Sequence, residues 1–254
     1  MSTIGNLLLS NLSPKTRKFR INPSEGISNK VVVVTGASNG LGKKIVLDCL
    51  ENGASAVAIS RNIKNLKEAY KSINSSNLLL LQCDVTEEVE VVKTVKVAIE
   101  KFGKIDVLIN NVGIYIGDNI ENMTSESFDK LIETNLKGMF LMTKQVVPSM
   151  KAAKKGLILN LSSRVAKKVN NPGRVLYAMT KSGVEGFSNA LRSELAKTGI
   201  RVTSLMPGTF NTHMSLQIFD NLWPEELSEI VLTIIRLERV DFEEIVVKSH
   251  FSEK

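Results

Sequence analysis

Short, continuous apolar runs recur along this chain, and between them lie longer stretches whose apolar positions return every three or four residues. A short apolar run bounded by turn residues reads as a buried strand, and the three-to-four spacing reads as an amphipathic helix. Strands are thus predicted over 31–35, 56–60, 78–83, 106–110, 156–161, 201–205 and 244–248. Helices are predicted over 41–52, 63–74, 86–102, 126–152, 175–198 and 224–238. Strands without polar alternation belong to a sheet covered on both faces. Regular alternation of strand and helix predicts the α/β class: a doubly wound, Rossmann-like parallel sheet of about seven strands with helices on both faces. No repeat or linker interrupts it, so 30–254 reads as a single domain.

Residues 1–29 break the pattern. They are rich in Ser, Asn, Lys and Arg, nearly free of acids, and have their only apolar cluster between Ile4 and Leu12. That composition suits a mitochondrial or plastid targeting segment. It also suits an ordinary N-terminal extension, flexible or packed, which is slightly favoured. The expected location is cytoplasmic, or an organelle such as the mitochondrion if 1–29 acts as a transit segment. The 254 residues carry a net charge of +7, of which residues 1–30 hold +4 through Lys15, Arg17, Lys18, Arg20 and Lys30 against Glu25. The remainder has no dense basic stripe, so nucleic acid is not an expected partner. A mild positive field still helps to attract an anionic cofactor. No apolar run approaches the ~18 residues of a membrane span. Cys49 and Cys83 form no pairing motif, which points to buried thiols and a reducing compartment. His213 and His250 are too few and too scattered to suggest a metal site.

Candidate chemistry changes the picture at two places. After the first strand comes Thr35-Gly36-Ala37-Ser38-Asn39-Gly40-Leu41-Gly42, followed by a helix. Glycines permit a tight turn and a close approach of backbone to a pyrophosphate. The helix start offers free N–H groups and a positive dipole end. Farther along, Tyr177 and Lys181 stand four apart in a predicted helix, hence on one face. A neighbouring ammonium is expected to lower the phenol's pKa from about 10, making it a usable general acid. By itself such a pair more often marks a solvated helix face.

Together these motifs resemble the short-chain dehydrogenase/reductase family over about residues 31–212. Asn110-Asn111-Val112-Gly113 is similar to its N-N-A-G, with Val for Ala; Asn111 and Gly113 are implied to support the sheet and line the cofactor pocket. Asn135-Leu136-Lys137-Gly138 resembles the helix carrying the active-site asparagine, and Asn160-Leu161-Ser162-Ser163 the strand end holding the catalytic serine. Pro207-Gly208-Thr209-Phe210-Asn211-Thr212 resembles P-G-x-x-x-T, which implies Pro207, Gly208 and a carboxamide-contacting Thr212 at the cofactor. Asp84-Val85 resembles the segment that meets adenine. The resemblance implies a catalytic set of Asn135, Ser163, Tyr177 and Lys181, with Asn135 holding a relay water and Lys181 also holding ribose hydroxyls. It implies cofactor contacts at Gly36, Ser38, Asn39, Gly40, Leu41 and Gly42 of the loop, at Ser60 and Arg61 beyond the second strand, and at Tyr177 and Lys181.

Two departures stand out. In most members the serine precedes the tyrosine by one residue fewer than the 14 between Ser163 and Tyr177. A longer loop through Lys167–Arg174, turning at Asn171-Pro172-Gly173, absorbs the difference. Ser162 is the alternative serine. Only a short segment separates Thr212 from Pro224, where relatives fold over the substrate, so a short lid is expected.

The second strand ends Ala58-Ile59-Ser60-Arg61-Asn62, with no acid to accept hydrogen bonds from a ribose 2′-hydroxyl. Arg61 offers a forked donor suited to a 2′-phosphate, so NADP(H) is expected over NAD(H). The implied activity is NADPH-dependent carbonyl–alcohol interconversion on a small-molecule substrate, in a homodimer or homotetramer. The competing class is a binding or regulatory protein that keeps the fold and pocket without catalysis. Arg164, Arg174 and Tyr115 are expected near the site mouth, where the arginines would favour an anionic substrate.

Overall fold

The computed structural model describes residues 26–209 and 222–250. Strands β1 (Val31–Thr35), β2 (Ser55–Ser60), β3 (Leu78–Gln82), β4 (Val107–Asn110), β5 (Gly156–Leu161), β6 (Ile200–Pro207) and β7 (Glu244–Val247) form one sheet in the order β3-β2-β1-β4-β5-β6-β7. Every neighbouring pair is parallel. The α-helices are α1 (Gly40–Glu51), α2 (Ile63–Ala69), α3 (Glu88–Phe102), α4 (Ser125–Ile132), α5 (Gly138–Ala153), α6 (Val175–Leu195) and α7 (Pro224–Arg236).

Successive side chains of a strand point to opposite faces, and β1 shows both faces filled. Val32 and Val34 pack with Ile45 of α1, Leu66 of α2 and Val231 of α7. Val31 and Val33 pack with Val95 of α3, Leu141 of α5 and Leu195 of α6. This is the doubly wound α/β sheet that the apolar runs predict. The strand order reverses between β1 and β4, and in such sheets a crevice opens there, beyond the strands' carboxyl ends.

The structure departs from the predicted elements in two helices. The stretch predicted over 63–74 ends at Ala69, because Tyr70 turns inward. Its ring is buried and its hydroxyl donates to the Ala37 carbonyl at 2.7 Å. Polar Asn74–Asn77 then lead into β3. The stretch predicted over 126–152 is α4, a π-helical turn at Glu133–Lys137, and α5 in succession. Such turns are wide, cost hydrogen-bond quality, and occur mostly at functional sites; this one contains Asn135. Elsewhere the helix ends follow local chemistry. Asn62 accepts from the amides of Lys64 and Asn65 to start α2, and Gly103 closes α3 in the left-handed region at φ 79°.

Residues 1–25 of the expected extension, together with Thr212, His213 and most of the short segment before Pro224, lie outside the described residues. Among the described residues, no helix is long and apolar enough to cross a membrane.

Candidate active site

The crevice at the switch point is a cavity of about 920 Å³. One side is the loop after β1. Gly36 and Gly40 adopt left-handed φ values of 67° and 51°, a conformation that costs a side-chain-bearing residue energy. A Cβ on Gly42 would lie 2.5 Å from the Gly36 carbonyl oxygen and 2.7 Å from Asn111 Nδ2, so α1 packs directly on its own entry loop. Asn111 ties this loop to β4: its Nδ2 donates to the carbonyls of Thr35 (2.9 Å) and Gly36 (3.2 Å), and its amide donates to Thr35 Oγ1. Ala37 is held from two further directions, its amide donating to Ile59 and its carbonyl accepting from Tyr70. Asn39 stands at the start of α1 without a side-chain cap, and the first turn carries no acid. The first N–H groups of α1 are therefore left for an anion.

The opposite wall comes from α6, the end of β5 and the loop after β4. Tyr177 and Lys181 project from α6 into the same cavity. Lys181 is buried, its Nζ donating to the Leu161 carbonyl at 2.8 Å and lying 5.8 Å from the centre of the Tyr177 ring. Tyr115 meets that ring edge-on at 5.1 Å. Ser163 lines the cavity with Tyr177 and stands near enough to favour its phenolate form, while its Oγ accepts from the Val165 amide at 3.3 Å. Ser162 is buried and donates instead to the Lys181 carbonyl at 3.2 Å. Both serines line the cavity, but the Ser162 hydroxyl is committed to the backbone of α6. The loop from Lys167 to Arg174 turns at Gly173, whose φ of 74° is left-handed.

Asn135 grips the loop after β4 by both of its polar atoms. Oδ1 accepts from the Ile114 amide (2.8 Å), while Nδ2 donates to the Ile114 carbonyl (3.0 Å) and to Thr180 Oγ1 (3.1 Å). Thr180 in turn donates to the Tyr177 carbonyl at 2.9 Å. A Cβ on Gly113 would sit 3.3 Å from Lys181 Nζ and 3.6 Å from Asn135 Oδ1. Glycine here keeps a small space open between the ammonium and the amide oxygen.

The electrostatics differ from what spacing alone predicts. The pKa of Tyr177 is raised, not lowered. Burial is the largest cause; the Ser163 side chain and the Arg174 charge pull the other way. Burial also pulls Lys181 down to about 8, against the Glu185 charge. Both groups lose more by leaving water than the phenol gains from an ammonium turned toward Leu161. Folding therefore disfavours charged Lys181, and the unfolded chain binds the extra proton between pH about 8 and the ordinary value of 10.5. Stability contributed by this group rises with pH across that window. Lys181→Met removes the dependence, so its melting temperature is expected to lose ground to the wild type as pH rises from about 8 toward 10.5. Parallel melting curves across that range would contradict the assignment.

Of the other residues expected at a cofactor, Ser38, Asn39, Leu41, Ser60, Arg61, Asp84, Val85, Asn111, Gly113 and Gly208 all line the cavity. Asp84 spends one oxygen on Thr86, at 2.8 Å to its hydroxyl. Pro207 does not line it; it ends β6 in the sheet. Tyr115, expected near the site mouth, lines the cavity, whereas Thr180 and Tyr70 were not among the residues expected to support the site. Only Tyr70, a lone aromatic in a polar helix, offered a signal for an inward contact.

The profile of the short chain dehydrogenase family matches residues 30–223. The chain belongs to the short-chain dehydrogenase family. A 3-oxoacyl-(acyl-carrier-protein) reductase of Staphylococcus epidermidis is 35% identical to this dehydrogenase-family chain over 207 residues, covering 80% of it and 84% of the relative. Among solved structures, a serine dehydrogenase complexed with NADP+ superposes with a TM-score of 0.81 at 28% identity, over 86% of this chain and 94% of that one. A 3-ketoacyl-(acyl-carrier-protein) reductase from Brucella melitensis complexed with NADH gives 0.82 at 26% identity, over 89% and 99%. Family membership makes this dehydrogenase-type chain an oxidoreductase, and its neighbours support a nicotinamide cofactor. The residues present fit one: a glycine-lined loop at an uncapped helix start, and a long cavity running from it to a buried lysine and a phenol.

Proposed function

We propose that this chain interconverts a carbonyl and an alcohol by hydride transfer with NADP(H), Tyr177 acting as general acid and base. The observation that carries the reading is the meeting of Tyr177, Ser163 and Lys181 in the cavity whose other wall is the glycine loop. The loop Gly36–Gly42 would hold the pyrophosphate at the start of α1, Asp84 and Val85 the adenine side, and Lys181 the nicotinamide ribose, with Gly208 near the carboxamide. When bound, the nicotinamide supplies or takes the hydride.

The protein manages the proton and the oxygen. Burial keeps the Tyr177 phenol protonated at neutral pH, as a proton donor to the forming alkoxide must be. Ser163 would hydrogen-bond the carbonyl oxygen and polarise it. The reduction is balanced: the carbonyl carbon gains a hydride, its oxygen gains the phenolic proton, and solvent reprotonates the tyrosine. Asn135 Oδ1 and Lys181 Nζ both lie close to Gly113, and a water held beside them would relay that proton. Both hydrogens of the Asn135 amide are spent on Ile114 and Thr180, so the water would be held through Oδ1.

Arg61 at the cavity edge, with no acid ending β2, supports the NADP(H) preference. Oxidation of NADPH and NADH, followed by absorbance across aldehydes, ketones, quinones and oxo acids, tests both statements. Turnover is expected with NADPH favoured. Arg61→Asp should reverse the preference by roughly tenfold or more, the value of a charge-assisted hydrogen bond. Equal use of NADH by the wild type would sink the NADP(H) assignment. Tight dinucleotide binding without any turnover would favour the non-catalytic alternative.

A further inference from the structure

The end of the cavity around Tyr177 is cationic. Arg164, Lys168 and Arg174 line it, all from the stretch between β5 and α6, which contains no acid. Glu133 lines it too, but faces Lys137 at 3.7 Å. Arg174 stands closest to the chemistry. It immediately precedes α6, three residues before Tyr177, and the phenol feels its charge. Its side chain is half-buried and, among the described residues, has no ion pair or hydrogen-bond partner. Asp118 packs beside Gly173, yet its carboxylate serves the Asn119 amide and Asn122 Nδ2. A partly desolvated guanidinium with its fork unspent is the arrangement that recognises a carboxylate in two-point fashion. Arg174 is the N-cap of this helix and Tyr177 its third residue, positions whose side chains meet at a helix start. An anion on Arg174 and a carbonyl at Tyr177 are thus separated by only a few bonds.

Resting on the proposed reductase reading, we propose that Arg174 binds the substrate and that the substrate is a small oxo acid, its carboxylate on Arg174 and its carbonyl oxygen at Tyr177 and Ser163. The product is the corresponding hydroxy acid.

The test compares 2-, 3- and 4-oxo acids with their methyl esters, with the same oxoacyl groups as phosphopantetheine thioesters, and with neutral ketones, in the presence of reduced dinucleotide. At least one free acid is expected to exceed its ester in kcat/KM by about tenfold or more. Arg174→Gln should bring that ratio near one, mainly through the KM of the acid, and Arg174→Lys should restore part of it. Loss of the arginine also shifts the Tyr177 pH profile, but equally for acid and ester, so the ratio isolates the carboxylate contact. Calorimetric binding of an unreactive dicarboxylate, lost in Arg174→Gln, gives a readout independent of turnover. Reduction of neutral ketones, esters or thioesters without preference for acids overturns this inference and leaves the reductase reading standing. An acid–ester ratio untouched by Arg174→Gln overturns it as well. No turnover of any carbonyl defeats both.

Discussion

Tyr177→Phe is expected to reduce kcat by about 10²–10⁴-fold, the contribution of a positioned general acid, while leaving dinucleotide binding largely intact. The change removes one hydroxyl. The ring remains to meet Tyr115 edge-on at 5.1 Å and to lie 5.8 Å from the Lys181 ammonium. Packing around α6 should therefore survive, and the melting temperature should move little. The vacated position borders the cavity, where water can take the place of the hydroxyl. Steady-state turnover, dinucleotide titration and a thermal melt on the same preparation separate the outcomes. Activity retained in this variant would remove the phenol from the mechanism, and a collapsed melting temperature would make its role structural.

Gly42→Ala should damage both binding and stability. The new methyl lies 2.5 Å from the Gly36 carbonyl oxygen, so either that carbonyl or the start of α1 must move. Neither neighbour is a flexible side-chain end free to yield: the second contact, Asn111 Nδ2, is committed to Thr35 and Gly36. Overpacking of this kind costs about 1–3 kcal/mol. It also displaces the N–H groups at the head of α1 from any phosphate they would hold, so dinucleotide affinity should fall more than stability alone implies. A variant that melts with the wild type and binds dinucleotide as well would contradict the close approach of helix to loop.

The sheet was readable because its central strands are short apolar runs filling both faces, and no competing period overlaps them. What escaped the sequence was tertiary. Nothing in the helical spacing around Asn135 marks a π turn, since the widening there accompanies a side-chain amide that grips Ile114 from a distant loop. The C-terminal end of the helix predicted over 63–74 was decided by a single tyrosine seeking a carbonyl more than thirty residues earlier. The catalytic candidates were legible as a set, because Tyr177, Lys181 and Ser163 lie on elements whose order alone brings them to one cavity. Their electrostatics were not. A four-residue spacing reports that a lysine is near a tyrosine, but not that the lysine is buried and the tyrosine half-buried, nor that the lysine is turned toward Leu161. Burial, which a linear pattern reads only on average, decides the direction of both pKa shifts.

The bond from Tyr70 to Ala37 has a consequence for how the protein meets its dinucleotide. Together with the contacts from Ile59 and Asn111, it braces the glycine loop on several sides before any ligand arrives. Glycines chosen for freedom are thereby denied it in the folded state, and their entropy is spent at folding instead of at binding. Association should then behave as docking onto a rigid template, with the affinity reflecting contacts made and little of it consumed in ordering the loop.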